Sequence, residues 1–346
     1  MKAAKQLGPL LLAVVILEVV FRLGIPGLLR PNPDFWALDN QIGIAQQIAV
    51  NAIIAFGMTL TILIGGIDLS VGAVLALAGT TTVYLLGLWS VDPASPAWNA
   101  ALGGWNPAVV RGLVEAVKWA ALAGAIAAGL GTAVAFGAFN GLCAAKTRMP
   151  AFIITLGTMR IARGLAHRFN EGRPIRIPDC HTEFLALGNG RLWEVVPYSV
   201  LVMLAIFAFA AILLHRTRFG QHLYAMGGNR EAARLTGIPL ARNEIAVYVL
   251  CALLAGVAGL INVSQLYSAE PASGEGFELD AIAAAVVGGT SFTGGVGKMA
   301  GTLLGAVIIG ILNKGLNQAG VHYSLQYVAT GVVILAAVYL DVRRRR

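Results

Sequence analysis

Charge is scarce in this chain. Only 25 Lys and Arg and 17 Asp and Glu occur in 346 residues, while 57% of the sequence is hydrophobic and the mean hydropathy is +0.75. A water-soluble domain has too little interior to hide that much apolar surface. Cysteine is equally sparse. Cys143, Cys180 and Cys251 lie far apart, two of them in apolar stretches, so neither a disulfide framework nor a metal motif follows. The five histidines are dispersed, and no HExxH or GxSxG occurs, which leaves no visible catalytic constellation. Two lookalikes of nucleotide motifs fail. Gly295-Val296-Gly297-Lys298-Met299-Ala300 follows no strand, and beside Gly297-Lys298 a P-loop needs Ser or Thr where Met299 stands and Gly where Phe292 stands. No hydrophilic block is large enough for an ATPase or a solute-binding domain. No enzymatic activity, cofactor or metal is therefore expected of the chain itself.

Long apolar runs dominate what is there. A membrane span needs about 20 apolar residues. Ten stretches qualify: 7–25, 42–64, 70–89, 114–144, 150–168, 195–214, 244–266, 279–293, 296–317 and 323–341. The fourth is long and the eighth short. The first lacks a small-residue cleavage site and reads as a span rather than a signal peptide. The expected fold is an all-α polytopic membrane protein with about ten transmembrane helices, forming a single transmembrane domain over 1–346. An even count puts both termini on one side. Fourteen basic residues, including Lys2, Lys5 and Arg343 to Arg346, then fall on that side and seven on the other, and the bias marks the first side as cytoplasmic. Spread over short loops in this way, the net charge of +8 sets topology and does not indicate a nucleic-acid partner. Membrane lipid is the expected surrounding. Two longer external segments, about 90–113 and 169–194, are expected to form short interfacial helices or lids.

One loop looks outward. Gly227-Gly228-Asn229-Arg230-Glu231-Ala232-Ala233-Arg234-Leu235-Thr236-Gly237-Ile238-Pro239 reads as a short capped helix between two apolar segments. Asn229 stands at the N-cap and Glu231 in the first turn. Gly237 is placed to end the helix in a left-handed conformation, and Pro239 prevents its restart. Such a helix is marginal alone in water, so it must dock against something. Charge bias places it in the cytoplasm.

Polar residues inside apolar runs are the other candidates. Asp68, in Gly65-Gly66-Ile67-Asp68-Leu69-Ser70-Val71-Gly72, is expected to cap the following helix with help from Ser70, or to shape a permeation path. Glu278 and Asp280 open a span, as helix-dipole charges or as acceptors for a hydroxyl-rich solute. Arg160, Arg163 and His167 share one helix face; Arg163 and His167 can snorkel outward, and Arg160 needs a partner. Asn51, Gln46, Gln47, Asn140, Asn313 and Asn317 either bond between helices or line a path for a polar, neutral solute. The small-residue stripes Gly297/Gly301/Gly305 and Gly137/Gly141 suit close helix packing within one subunit or a dimer interface. The run Gly65 to Gly72 is echoed weakly by Gly288-Gly289-Thr290-Ser291.

Several blocks together resemble one family. They are Gly65 to Gly72; Pro150-Ala151-Phe152-Ile153-Ile154-Thr155-Leu156-Gly157-Thr158; Thr217-Arg218-Phe219-Gly220; the Gly227 to Ile238 loop; and Glu278-Leu279-Asp280-Ala281-Ile282-Ala283-Ala284 with Val287-Gly288-Gly289-Thr290-Ser291. Over about residues 42–341 the chain resembles the permease subunits of bacterial ABC importers for monosaccharides, the ribose, xylose and galactose group. The resemblance implies a pore-forming subunit in the bacterial inner membrane. Its implied partners are a second permease subunit, most simply in a homodimer, two cytoplasmic ATPase subunits, and a periplasmic or lipid-anchored sugar-binding protein. It makes 215–243 a cytoplasmic coupling loop, with Gly228, Asn229, Glu231, Ala232, Ala233, Leu235 and Gly237 as the contact to the ATPase. A translocation path would draw on Asn51, Asp68, Asn140, Arg160, Glu278, Asp280, Ser291 and Asn313. Arg160 and the length of 90–113 depart from the family pattern. Other readings are a permease of the same architecture for a nucleoside, an autoinducer or a branched-chain amino acid, or an ion-coupled secondary transporter. The best acids lie at span ends, which disfavours ion coupling.

Overall fold

All ten apolar stretches contain helix. The computed structural model describes residues 2–25, 29, 31–90, 107–147 and 149–344. Most of the 90–113 segment, together with Arg30, Arg148, Arg345 and Arg346, lies outside the described residues. In chain order the helices are α1 (Lys2–Leu23), α2 (Leu38–Leu63), α3 (Val71–Trp89), α4 (Pro107–Lys146), α5 (Ala151–Arg168), α6 (Thr182–Asn189), α7 (Tyr198–Arg216), α8 (Arg218–Gly228), α9 (Arg230–Leu235), α10 (Leu240–Leu266), α11 (Phe277–Val287), α12 (Met299–Gln318) and α13 (Tyr323–Arg344). Among the described residues, six are long and apolar enough to cross a membrane: α2, α3, α4 over Gly112–Lys146, α7, α10 and α12. By contrast α5 carries three arginines in 18 residues, and the eleven residues of α11 span only about 16 Å.

The centre is α10, which packs on α2, α3 and α4, with α4 also against α3, and α11 and α12 against α2. Every residue of α2 from Ile48 to Leu63 is buried. Outer helices show the reverse pattern. Leu201, Leu204, Phe209 and Ile212 of α7, and Val328, Val332 and Leu335 of α13, are exposed. Apolar residues thus lie on both the inner and the outer faces, as lipid rather than water requires. Buried hydroxyls bond back to their own helix, as from Thr80 Oγ1 to the Ala76 carbonyl at 2.7 Å, or across helices, as between Thr59 and Thr302 at 2.7 Å. The small-residue stripes are used inside the chain. A Cβ on Gly137 would lie 2.6 Å from the Tyr248 carbonyl oxygen of α10, and one on Gly305 would lie 2.0 Å from the Ala284 carbonyl oxygen of α11.

Two helices start inside the protein. α3 begins beside the middle of α10, with Asp68, Ser70 and Val71 at 0% exposure, and a Cβ on Gly259 would meet the Leu75 carbonyl at 2.4 Å. The loop before α11 packs on the same place, for a Cβ on Gly72 would stand 2.1 Å from the Gly274 carbonyl oxygen. The non-helical segments 64–70 and 270–276 therefore reach into the protein before their helices begin. Irregular backbone at membrane depth is tolerated only where protein or a cavity covers it. At one end of the molecule the 288–298 loop meets the end of α2, through a bond from the Gly295 N–H to the Leu63 carbonyl at 2.8 Å. A Cβ on Gly294 would lie 3.1 Å from the Gly65 nitrogen, so the loops that carry the two echoing glycine-rich runs meet. At the opposite end the 169–197 segment folds into α6 and short strands: β1 (Ile175–Arg176), β2 (Arg191–Leu192) and β3 (Val196–Pro197). β1 pairs with β4 (Ser268–Ala269), and β2 with β3. α6 packs on α10 and α7.

Candidate functional site

The outward-looking loop is two helices, not one. Gly227 and Gly228 close α8, which the sequence pattern did not reveal, and only Arg230–Leu235 forms α9. α8 has its own cap, since Thr217 Oγ1 accepts from the Gly220 N–H at 3.3 Å. The Asn229 side chain accepts from the Ala232 N–H at 3.0 Å. Gly237 is left-handed at φ 81°, and the Ile238 N–H bonds back to the Ala233 carbonyl at 3.2 Å. Pro239 does not block further helix; as the N-cap residue of α10 it stands just before a helix start, where a missing N–H costs nothing.

The faces of α9 divide cleanly. Ala233 is 3% exposed and packs inward, whereas Leu235 is 75% exposed. Gly228, Asn229, Glu231, Ala232 and Gly237 are exposed. Arg234 binds Glu231 through Nη2 at 2.5 Å, and this hydrogen bond holds the Glu231 carboxyl below its ordinary value. An apolar side chain standing out of a ring of charge is the composition of a docking tip. Side-chain bonds tie the α8–α9 pair to the rest of the protein. The Tyr224 hydroxyl donates to the Gly297 carbonyl at 2.7 Å, His222 Nδ1 meets Asn243 Nδ2 at 3.3 Å, and Arg230 Nη2 donates to Glu244 Oε2 at 2.5 Å.

The polar residues of the expected path fall into separate groups. Asp68 does not cap α3 directly. Ser70 is the residue before the helix, and Asp68 Oδ1 accepts both its N–H at 2.9 Å and its hydroxyl at 2.6 Å, a turn that sets the approach to α3. Asn140 of α4 donates to the Ser70 hydroxyl at 3.0 Å, so Asp68, Ser70 and Asn140 form one buried cluster. Asp280 accepts from Asn313 at 3.1 Å, and Asn313 accepts from Thr330 at 3.3 Å. Glu278 lies against Gly72, its Oε2 2.6 Å from where a Cβ would be. Asn51 is 4% exposed, with no hydrogen-bond partner for its Oδ1 among the described residues. Ser291 is buried in the 288–298 loop, its N–H on the Val296 carbonyl at 2.8 Å. Arg160 and Arg163 exchange expectations. Arg160 is exposed, while Arg163 is partly buried and donates to the carbonyls of Pro271 and Ser273 at 2.6 and 2.7 Å, pinning the loop before α11. Glu244 and Tyr248 were missed. The signal was there: an acid at the start of an apolar run, with a phenol one turn later on the same face.

A buried turn before α3 and a short capped helix at the surface suit a membrane permease. A family model described as "Branched-chain amino acid transport system / permease component" matches residues 40–338, and the chain belongs to that family. It is 42% identical over 316 residues to the ribose import permease protein RbsC of Escherichia coli (strain K12), covering 91% of this chain and 89% of that protein. It is 39% identical to the ribose import permease protein RbsC of Bacillus subtilis (strain 168), over 97% of this chain and 92% of that one. It is also 35% identical to the L-arabinose transport system permease protein AraH of E. coli K12, over 89% and 84%. No solved structure matches it.

Proposed function

We propose that this chain is the transmembrane permease subunit of an ATP-driven importer that carries a monosaccharide across the bacterial inner membrane. The observation that carries this reading is the 42% identity, over nearly the whole length of both chains, with a ribose import permease. In this reading the chain crosses the membrane ten times with both termini in the cytoplasm, and it pairs with a second permease subunit. A binding protein delivers the sugar from outside, and ATPase subunits grip α9 from inside. The exposed Leu235 inserts into the ATPase, while Ala233 anchors α9 to the permease. Neutral Asn and Thr groups and the buried Asp68 cluster suit a polar, uncharged solute passing between subunits.

The family description favours a second reading, a branched-chain amino acid as the solute. Uptake into proteoliposomes holding the chain with its ATPase and binding protein separates the two. Labelled D-ribose, L-arabinose, D-allose and leucine are offered with and without ATP. ATP-dependent entry of a sugar is expected. Entry of leucine alone establishes the second reading, and entry driven by an ion gradient without the ATPase rules out both.

A further inference from the structure

Among the described residues, one side-chain bond leaves α9 for a spanning helix, the pair Arg230–Glu244. It is nearly bidentate, with Nη2 to Oε2 at 2.5 Å and Nη1 to Oε1 at 3.5 Å. The Glu244 side chain is 9% exposed and that of Arg230 47%. A carboxylate that far out of water is costly to leave alone, so the pair stays closed while its surroundings move. Arg230 is the first residue of α9, and Glu244 lies in the second turn of α10. One turn further along the same face stands Tyr248, 1% exposed. Its hydroxyl sits 2.5 Å from where a Cβ on Gly66 would be. Gly66 belongs to the largely buried 64–70 segment, whose Ser70 donates to Asp68 and accepts from Asn140 of α4. A line of contacts thus runs from α9 along α10 to the irregular backbone of 64–70.

We propose that the Arg230–Glu244 pair is the tie that passes movement of α9 to α10 and, through Tyr248, to the 64–70 segment. The inference rests on the reading of α9 as the helix gripped by the ATPase. Without the pair, the short 236–239 turn would absorb the displacement. Arg230 and Glu244 are positioning residues. They touch no solute, and their loss shows in the coupling of hydrolysis to transport rather than in hydrolysis alone.

The test uses the complete transporter in proteoliposomes and measures solute imported, ATP hydrolysed and ATPase co-purified. Arg230→Gln and Glu244→Gln are each expected to lower import about tenfold, the scale of one charge-assisted hydrogen bond. ATPase co-purification and hydrolysis are expected to persist, so ATP spent per solute rises. Arg230→Lys keeps the charge and is expected to keep most of the coupling. The exchange Arg230→Glu with Glu244→Arg is expected to recover import relative to either single reversal. Single variants with the wild-type ratio of ATP to solute would overturn the tie. So would an exchanged pair no better than the single reversals, or loss of import that only tracks loss of co-purified ATPase. A wild-type complex with no ATP-dependent import would instead overturn the functional reading beneath it.

Discussion

Asn229 accepts one hydrogen bond, and Gly237 holds one backbone conformation that other residues adopt only at a cost. Between them lie the six residues of α9, which could not stay helical alone. Asn229→Ala removes the cap and is expected to cost about 1 kcal/mol of local stability. Amide exchange over 230–236 should then quicken roughly fivefold, and unchanged rates would refute the cap's role. Two apolar residues of the same helix should behave oppositely. Ala233→Arg places a charge in a buried position and should expel α9 from the protein. Leu235→Asp should leave amide exchange as it is and reduce ATPase co-purification; retained co-purification would remove Leu235 from the docking tip. The cap and the left-handed glycine were legible in the sequence because both act within a few residues. The burial of Ala233 was not, because the face a small helix hides depends on what it lies against.

Among the elements, α6 shows how the segment between α5 and α7 is fastened. Ser264 Oγ of α10 accepts from the Gly188 N–H at 2.8 Å and donates to the Phe184 carbonyl at 2.8 Å. Lys118 of α4 binds Glu183 at 2.6 Å, and His181, buried at the start of α6, meets Ser90 Oγ at 2.8 Å. Burial is the main cause that pushes the His181 imidazole below its ordinary value of 6.5. The folded state therefore favours the neutral ring. Its stabilisation is complete above pH 6.5 and is lost as the pH falls from there through the lowered folded value. The Glu183 carboxyl, held below its ordinary value chiefly by the Lys118 hydrogen bond, stays charged in that window. Protection of the 182–189 amides, taken relative to their intrinsic exchange rates at each pH, should fall as the pH is lowered from 7.5 to 5, and His181→Gln should abolish the change. A pH-independent protection factor in the wild type would contradict this. The sequence marked 169–194 as an external segment with short helices. It gave no sign of the Ser264 contact, which joins residues some 80 positions apart.

For the whole molecule, the decisive quantity is how closely helices approach. In lipid the helices gain nothing by leaving water, so packing contacts hold them together. At Gly137 the backbones of α4 and α10 leave no room for a side chain, whereas a Cβ on Gly131, two turns away on α4, would meet nothing within 4 Å. Gly137→Leu is expected to lower the thermal midpoint by several degrees or to prevent assembly, as overpacking by about 1–3 kcal/mol does. Gly131→Leu should be neutral. Equal thermal midpoints in detergent for the two variants would show that the α4–α10 seam does not limit stability.

By itself the sequence determined that the chain is a helical membrane protein, where its apolar helices lie, and that a capped helix stands outside them. Those properties follow from composition, hydrophobic run length and capping chemistry, all local along the chain. Tertiary structure alone decided that α3 and α11 begin inside the protein, that Arg163 rather than Arg160 is engaged, and that Glu244 receives Arg230 from α9. Each depends on contacts between distant segments, where the cost of burying charge and irregular backbone is settled by whichever partner the fold brings near.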